Sequence, residues 1–358
     1  MSTAAVHGSP TGTTTPPPLD DRALRPASVV SRLLRSRATW VLGLDIVLIV
    51  AFTLVSEDNV FFSAANGRSL LLGATQALLL ALGLAMMLGA GIFDLSLGAN
   101  LVLSSVIGAL VVQKFQDPTT RQYDRPWTAI WLGLLACVLA GVLFGVVNGI
   151  LIAIADVNSL IATLATLGIG TGLAYLLSDG ADVAGMPFEM QRSIGLNTVG
   201  GIPVPALVAV AAAVVLWAVV RYTRFGMRTQ AIGSSRAAAE RAGLKVRQHF
   251  IVLTSLAGGL AGVAGFFDLT RFGSTALAGH ANDSLAAVTA VVIGGTLLTG
   301  GYISIIGAVW GAALAVILQT GLVITGVPSF WQLIVVGVVL LLAVVIDRTT
   351  SKRRAARH

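Results

Sequence analysis

This 358-residue sequence predicts an all-α fold, a polytopic membrane helix bundle of about ten transmembrane helices, on three observations. The first is composition: 56% of residues are hydrophobic, 11% are charged, and mean hydropathy is +0.88. Soluble domains carry roughly 25% charged residues, so this chain lacks the polar surface that water requires. The second is a regular series of apolar runs, and the third is where the basic residues fall between them.

Residues 1–38 form a Ser-, Thr-, Pro- and Gly-rich segment that ends in an arginine cluster, and they predict a disordered, basic N-terminus. The segment has no apolar h-region, so the first span is expected to serve as its own signal anchor. A membrane domain over 39–348 follows, with apolar runs at 40–55, 69–88, 96–112, 127–153 and 160–177 in its first half. The second half gives 204–220, 250–269, 285–298, 303–325 and 330–346. A helix needs about 20 residues to cross the hydrocarbon, and the run 285–298 is short, as a half-helix or re-entrant segment would be. Residues 349–358 form a basic tail.

Charge tests the count. Seventeen of the 23 Lys and Arg residues fall in three clusters: before the first span, in the loop 221–249, and after the last span. Six spans separate the first cluster from the second and four the second from the third. All three then lie on one side, the cytoplasmic one by the positive-inside rule, with both termini. The net charge of +7 is therefore a topology signal and not a nucleic-acid footprint. Cys137 lies inside an apolar run and reads as a small packing residue. His7, His249, His280 and His358 show no metal-ligand spacing. Glycines four apart (Gly141, Gly145 and Gly149; Gly258 and Gly262; Gly307 and Gly311) predict closely packed helix pairs.

Four acids stand at or near membrane depth: Asp45, Asp94, Asp156 and Asp268. Their sparseness weighs against a carrier driven by coupled ions. Asp94 lies in Gly89-Ala-Gly-Ile-Phe-Asp-Leu-Ser-Leu-Gly98, where the glycines permit a sharp break. There Asp94 or Ser96 can cap the next helix, or the broken backbone can line a pathway. Asn100, Asn148 and Gln319 are buried polar candidates, as interhelical hydrogen bonds or as ligand contacts. Asp94, Ser96, Asn100 and Asn148 are thus the translocation-path candidates.

The loop 221–249 is more than a basic connection. Ser234 or Ser235 can N-cap a short Ala-rich helix over 236–242, and Gly243 supplies its stop. A short capped helix suits presentation to a cytosolic partner. Gly233, Arg236, Ala239, Glu240 and Gly243 are the candidate coupling residues. The chain carries no Gly-x-x-x-x-Gly-Lys-[Ser/Thr] phosphate loop, so ATP would be bound by a partner and no cofactor is expected here.

Several segments resemble one family. Phe93-Asp-Leu-Ser-Leu-Gly98 is similar to the Ile-Asp-Leu-Ser-Val-Gly motif of sugar ABC permeases of the ribose/xylose class. Asn148-Gly-Ile-Leu-Ile-Ala153, Leu160-Ile-Ala-Thr-Leu-Ala-Thr-Leu-Gly168 and Leu177-Ser-Asp-Gly180 resemble its fourth and fifth spans. Thr223-Arg-Phe-Gly226, Ala231-Ile-Gly233 and the stretch to Gly243 resemble its coupling loop. Val292-Ile-Gly-Gly-Thr296, Gly300-Gly301, Ser329-Phe-Trp-Gln332 and Asp347-Arg348 complete the pattern, in order, from about Leu70 to Arg348. Phe93 stands where Ile is usual, and Arg236 and Ala237 where acids are common.

The resemblance implies a type II importer-like permease in the cell membrane, in contact with lipid. Two copies, as a homodimer or a heterodimer, would dock on two ATPase subunits and be fed by an extracytoplasmic sugar-binding protein. A branched-chain amino-acid permease is the alternative within transport. A membrane-embedded enzyme is the alternative of another class, and it would need paired carboxylates, a His cluster or a nucleophile–base pair at depth.

Overall fold

The computed structural model describes residues 37–328 except 281, together with 331, 334, 335, 337 and 338. The segment 1–36, the tail 349–358 and nearly all of the run 330–346 lie outside the described residues.

The described chain is helical, as its composition requires. The long helices are α1 (Arg37–Val55), α2 (Ala64–Gly89), α3 (Leu97–Gln113), α4 (Pro126–Ala153), α5 (Ser159–Leu177) and α6 (Val204–Tyr222). Two short helices follow, α7 (Arg224–Ser234) and α8 (Arg236–Arg241). The series closes with α9 (Val246–Phe272), α10 (Asp283–Ile293) and α11 (Ile305–Ile324). Seven of these are long and apolar enough to cross a membrane, and α3 and α10 are shorter apolar helices. Nine apolar runs thus carry helices, and the tenth falls outside the described residues.

Ends shift by a few residues in places, with a physical consequence. Arg68, Arg221, Arg247 and Arg271, placed outside the runs by hydropathy, fall within terminal turns of α2, α6 and α9. Their long stems allow the charged heads to reach the interface from there. The larger difference is at α10, which stops at Ile293 although the apolar run continues to 298. Gly294 packs against Gly307 of α11 with no room for a side chain, and Gly295 turns at φ +94°. Hydropathy cannot register such a turn.

α2 and α9 are the most buried spans, whereas α1 shows most of its surface, including Trp40, Leu54 and Val55. That exposure matches a lipid-facing position. The predicted glycine contacts hold along the α4–α9 seam: a Cβ on Gly141, Gly145 or Gly149 would strike the backbone of Gly258, Thr254 or Ile251 respectively. α10 and α11 meet the same way, through Gly311 against Ala290.

The ends of the bundle differ. At one end α7 and α8 pack on the ends of α2 and α9. At the other, three connections are woven together. Val183 N–H donates to Thr275 Oγ1 (2.8 Å), Leu277 N–H donates to Asp182 Oδ1 (2.8 Å), and Tyr123 Oη donates to the Gly185 carbonyl (2.9 Å). A two-residue hairpin, β1 (Thr198–Val199) with β2 (Ile202–Pro203), leads into α6.

Candidate functional site

Three constellations of polar side chains lie in or against the apolar bundle. The first is the break between α2 and α3. Asp94 Oδ1 accepts from both Ser96 N–H (2.7 Å) and Ser96 Oγ–H (2.6 Å), and Asn148 Nδ2 donates to Ser96 Oγ (2.8 Å). Asn100 Nδ2 donates to the Gly141 carbonyl (3.2 Å) and Ser104 Oγ to Asn100 Oδ1 (3.1 Å). Ser284 Oγ, from the first turn of α10, accepts from Gly98 N–H (2.8 Å). The beginnings of the two shortest apolar helices are thereby tied together. Asp94, Ser96, Asn100 and Asn148 are each 0–2% exposed. None of the four borders the large cavity described below. They form a packed polar cluster in which Asp94 partners the Ser96 N–H just before α3.

The second constellation is the α7–α8 unit. The expected short helix is present: Ser235 N-caps it by accepting from Ala238 N–H (3.3 Å). It closes with Gly243 at φ +80°, Gly243 N–H donating to Glu240 O and Leu244 N–H to Ala239 O. This glycine closure meets carbonyls that the helix end leaves unpaired.

Preceding α8 is a helix that the sequence reading missed, α7, whose buried side carries Gly226, Thr229 and Ile232. The i, i+3 and i+6 spacing of those residues was the available signal. Thr229 Oγ1 lies 2.8 Å from His249 Nε2, and the Phe225 ring packs on His249, so α7 is fastened to the start of α9. Gly233 packs on Gly89 and Gly301, and Gly301 N–H donates to the Gly89 carbonyl (3.0 Å).

The five coupling candidates therefore separate. Arg236 and Glu240 are exposed, 3.1 Å apart, and Arg236 also stands 3.5 Å from Asp156. Asp156 is thus a surface residue of the α4–α5 connection, not a group at membrane depth. Ala239 is 5% exposed and turned into its own chain, so α8 exposes Arg236, Ala237, Ala238, Glu240 and Arg241. Gly233 and Gly243 shape the unit.

The third constellation was not legible as a site. A cavity of about 470 Å³ opens between α2, α10, α11 and the end of α9. On its polar side Gln76, His280 and Asp283 border the cavity and are joined through the buried Asp268 behind them: Gln76 Nε2 donates to Asp268 Oδ1, and Asp268 Oδ2 lies 3.1 Å from His280 Nε2. His280 Nδ1 in turn lies 2.7 Å from Asp283 Oδ2. Burial works against the charged imidazole, but the flanking carboxylates outweigh it, and the His280 pKa is pushed up to about 10. Gln319 and Arg271 also border the cavity, with Phe272, Leu314 and Val316 as apolar wall.

A bundle of apolar helices, two of them short and joined at their starts, with a docked helical unit at one end, defines a polytopic α-helical membrane protein. The chain belongs to the family described as branched-chain amino acid transport system / permease component, which it matches over residues 68–344. It is 37% identical over 311 residues to the ribose import permease protein RbsC of Bacillus subtilis, covering 87% of this chain and 92% of that one. It is 32% identical to the L-arabinose transport system permease protein AraH of Escherichia coli (82% and 86% covered). It is 30% identical to the galactose/methyl galactoside import permease protein MglC of Haemophilus influenzae (84% and 92% covered). No solved structure matches the chain.

Proposed function

We propose that this chain is the membrane permease of an ATP-driven importer for a monosaccharide (a pentose, a hexose or a related polyol) delivered by an extracytoplasmic binding protein. One observation carries the reading: relatives that cover more than four fifths of the chain are named for ribose, arabinose and galactose transport. The family description alone would favour an amino acid, but those relatives share the family and their printed substrates are sugars.

ATP hydrolysis belongs to a separate subunit, and α7–α8 is the element that meets it, since this capped pair stands outside the apolar spans with Arg236 and Glu240 turned outward. That end is cytoplasmic by the basic clusters. Two permeases, alike or different, would share the ATPase pair.

The test is reconstitution of the permease with its ATPase and binding protein in liposomes. ATP-dependent accumulation of labelled D-ribose, L-arabinose or D-galactose, with none of L-leucine, is the expected result. Accumulation of leucine alone overturns the reading.

A further inference from the structure

The polar row beside the cavity is made by residues far apart in sequence. Gln76 comes from α2, Asp268 from α9, His280 from the connection after it, and Asp283 from the first turn of α10. Asp268 and His280 engage both of their polar atoms within the row, whereas Gln76 and Asp283 at its ends engage one each. Gln76 Oε1 and Asp283 Oδ1 take no part in it, and both residues border the cavity. Asp268 and His280 are almost fully buried, whereas Asp283 is about one third exposed. The row therefore runs from the packed interior to the opening, and the shared ion pairs fix the orientation of its members.

The charges of the row are matched within it. Asp268 and Asp283 face the His280 imidazole, and the Arg271 guanidinium lies over the neighbouring Phe272 ring at 4.9 Å. A ligand with full charges would have to be desolvated against partners already engaged, which is costly. A neutral ligand rich in hydroxyls meets no such penalty, because each hydroxyl can donate to a carboxylate or amide oxygen and accept from an amide. Across the cavity Gln319 offers an amide, and Leu314, Val316 and Phe272 offer apolar surface to a ring's C–H face. The volume lies within the roughly 300–1,000 Å³ typical of small-molecule sites, and an apolar enclosure with a few fixed polar groups is their usual make-up.

We infer that this cavity is a station on the import route at which Gln76 and Asp283, held in place by the buried Asp268–His280 pair, and Gln319 read the hydroxyls of a neutral monosaccharide. The inference rests on the monosaccharide reading above and gives it a place in this chain. It makes the permease a second selector after the binding protein. It also moves the expected polar contacts from the α2–α3 break to the α2–α10–α11 side.

The test uses the reconstituted importer and pairs variants with deoxygenated sugars. Uptake of the transported monosaccharide and of its singly deoxygenated analogues is measured for wild type, Gln76→Leu and Gln319→Leu. Each variant should lose about ten-fold in uptake of the parent sugar, the scale of the net contribution of one hydrogen bond. For one analogue, lacking the hydroxyl that the missing amide read, the variant should lose little further relative to wild type. That non-additivity marks a direct contact. Structural damage would lower every sugar in the same proportion, and that result, or unchanged uptake in both variants, overturns the assignment. Should Gln76→Leu fail to assemble, Gln319→Leu, on the exposed side of the cavity, carries the same comparison. Wild type that moves leucine and no monosaccharide overturns the transport reading itself, a failure distinct from a wild type that moves sugar indifferently to these side chains.

Discussion

Gly233 of α7 and Gly89 at the end of α2 touch backbone to backbone: a Cβ on Gly233 would collide with the Gly89 carbonyl oxygen and with Gly301 N–H. Three segments, the end of α2, the docked helical unit and the turn before α11, thus close on one point without side chains between them. A side chain at 233 must push them apart, and overpacking of this kind costs about 1–3 kcal/mol. Gly233→Val is expected to lower the melting temperature of the purified protein and to abolish uptake. By contrast Gly180→Ala, at a turn where nothing stands within 4 Å of the added carbon, should show only the modest strain of its positive φ. A Gly233→Val protein with wild-type melting and uptake would show that this contact is not needed.

Asp94 is expected to tolerate loss of its charge. Its bonds to Ser96 use one oxygen, Oδ1, which an asparagine retains. Asp94→Asn should keep most transport, and Asp94→Leu should cost about 1–2 kcal/mol of stability, the scale of a lost cap. Chemical denaturation of both variants measures the difference. Collapse of transport in a well-folded Asp94→Asn protein would mean that the charge itself serves the pathway.

The α8 helix separates two effects of a bulky substitution. Ala239 is buried in its own chain and Ala238 is exposed. Ala239→Trp should therefore damage the fold, visible as a lowered melting temperature. Ala238→Trp should leave melting unchanged while weakening co-purification of the ATPase. Gly243→Val meets open space but must adopt φ +80°, a conformation costing roughly 1–2 kcal/mol for a residue with a side chain. Normal ATPase association in Ala238→Trp would remove α8 from the docking surface.

His280 makes stability depend on pH with a definite sign. Burial opposes its charge, but Asp268 and Asp283 hold its pKa at about 10, above the ordinary 6.5. The folded state thus binds the proton more tightly than the unfolded chain. Its contribution is fully present below about pH 6.5 and is lost as pH rises through 10. Melting in detergent should therefore fall more steeply from pH 7 to pH 10.5 in wild type than in His280→Asn. Parallel curves would show that the imidazole is not held charged.

Topology is checked by labelling. In a Cys137→Ala background, cysteines at Ser235 and Thr119 should react from opposite sides of the membrane. Ser235 caps α8, whereas Thr119 lies in the turn where its N–H donates to Asp117 Oδ1 at the other end of the bundle. Reaction of both with an impermeant reagent from outside would break the alternation on which the orientation rests.

The fold was largely legible because lipid imposes a length and an apolarity that the sequence must display. The short run at 285–298 was visible as an oddity, but its cause, the Gly294–Gly307 contact, depends on a residue 13 positions away in the next helix. Local signals were equally readable at α8: the Ser235 cap and the Gly243 stop are where their chemistry places them. Ala239 lies inward although it was expected at the docking face, because a six-residue helix with three successive alanines shows no apolar periodicity from which its inner face can be told. The cavity was illegible for a different reason. Gln76 and Asp268 meet across 192 positions, and no local pattern encodes such a pair. His280-x-x-Asp283 was a weak hint, three positions apart and beside a helix start.

The α4–α9 seam has a consequence for movement. Where Gly141 and Gly145 press on the backbone of α9, no side chain lies between the helices to re-pack. Sliding one past the other would drive carbonyl into carbonyl, so the pair behaves as a single stiff plate through the transport cycle. The α10–α11 pair is locked in the same way by Gly294 on Gly307 and Ala290 on Gly311, so a rearrangement that opened a route would have to fall between such pairs, as where the cavity interrupts the packing of α10–α11 on α2.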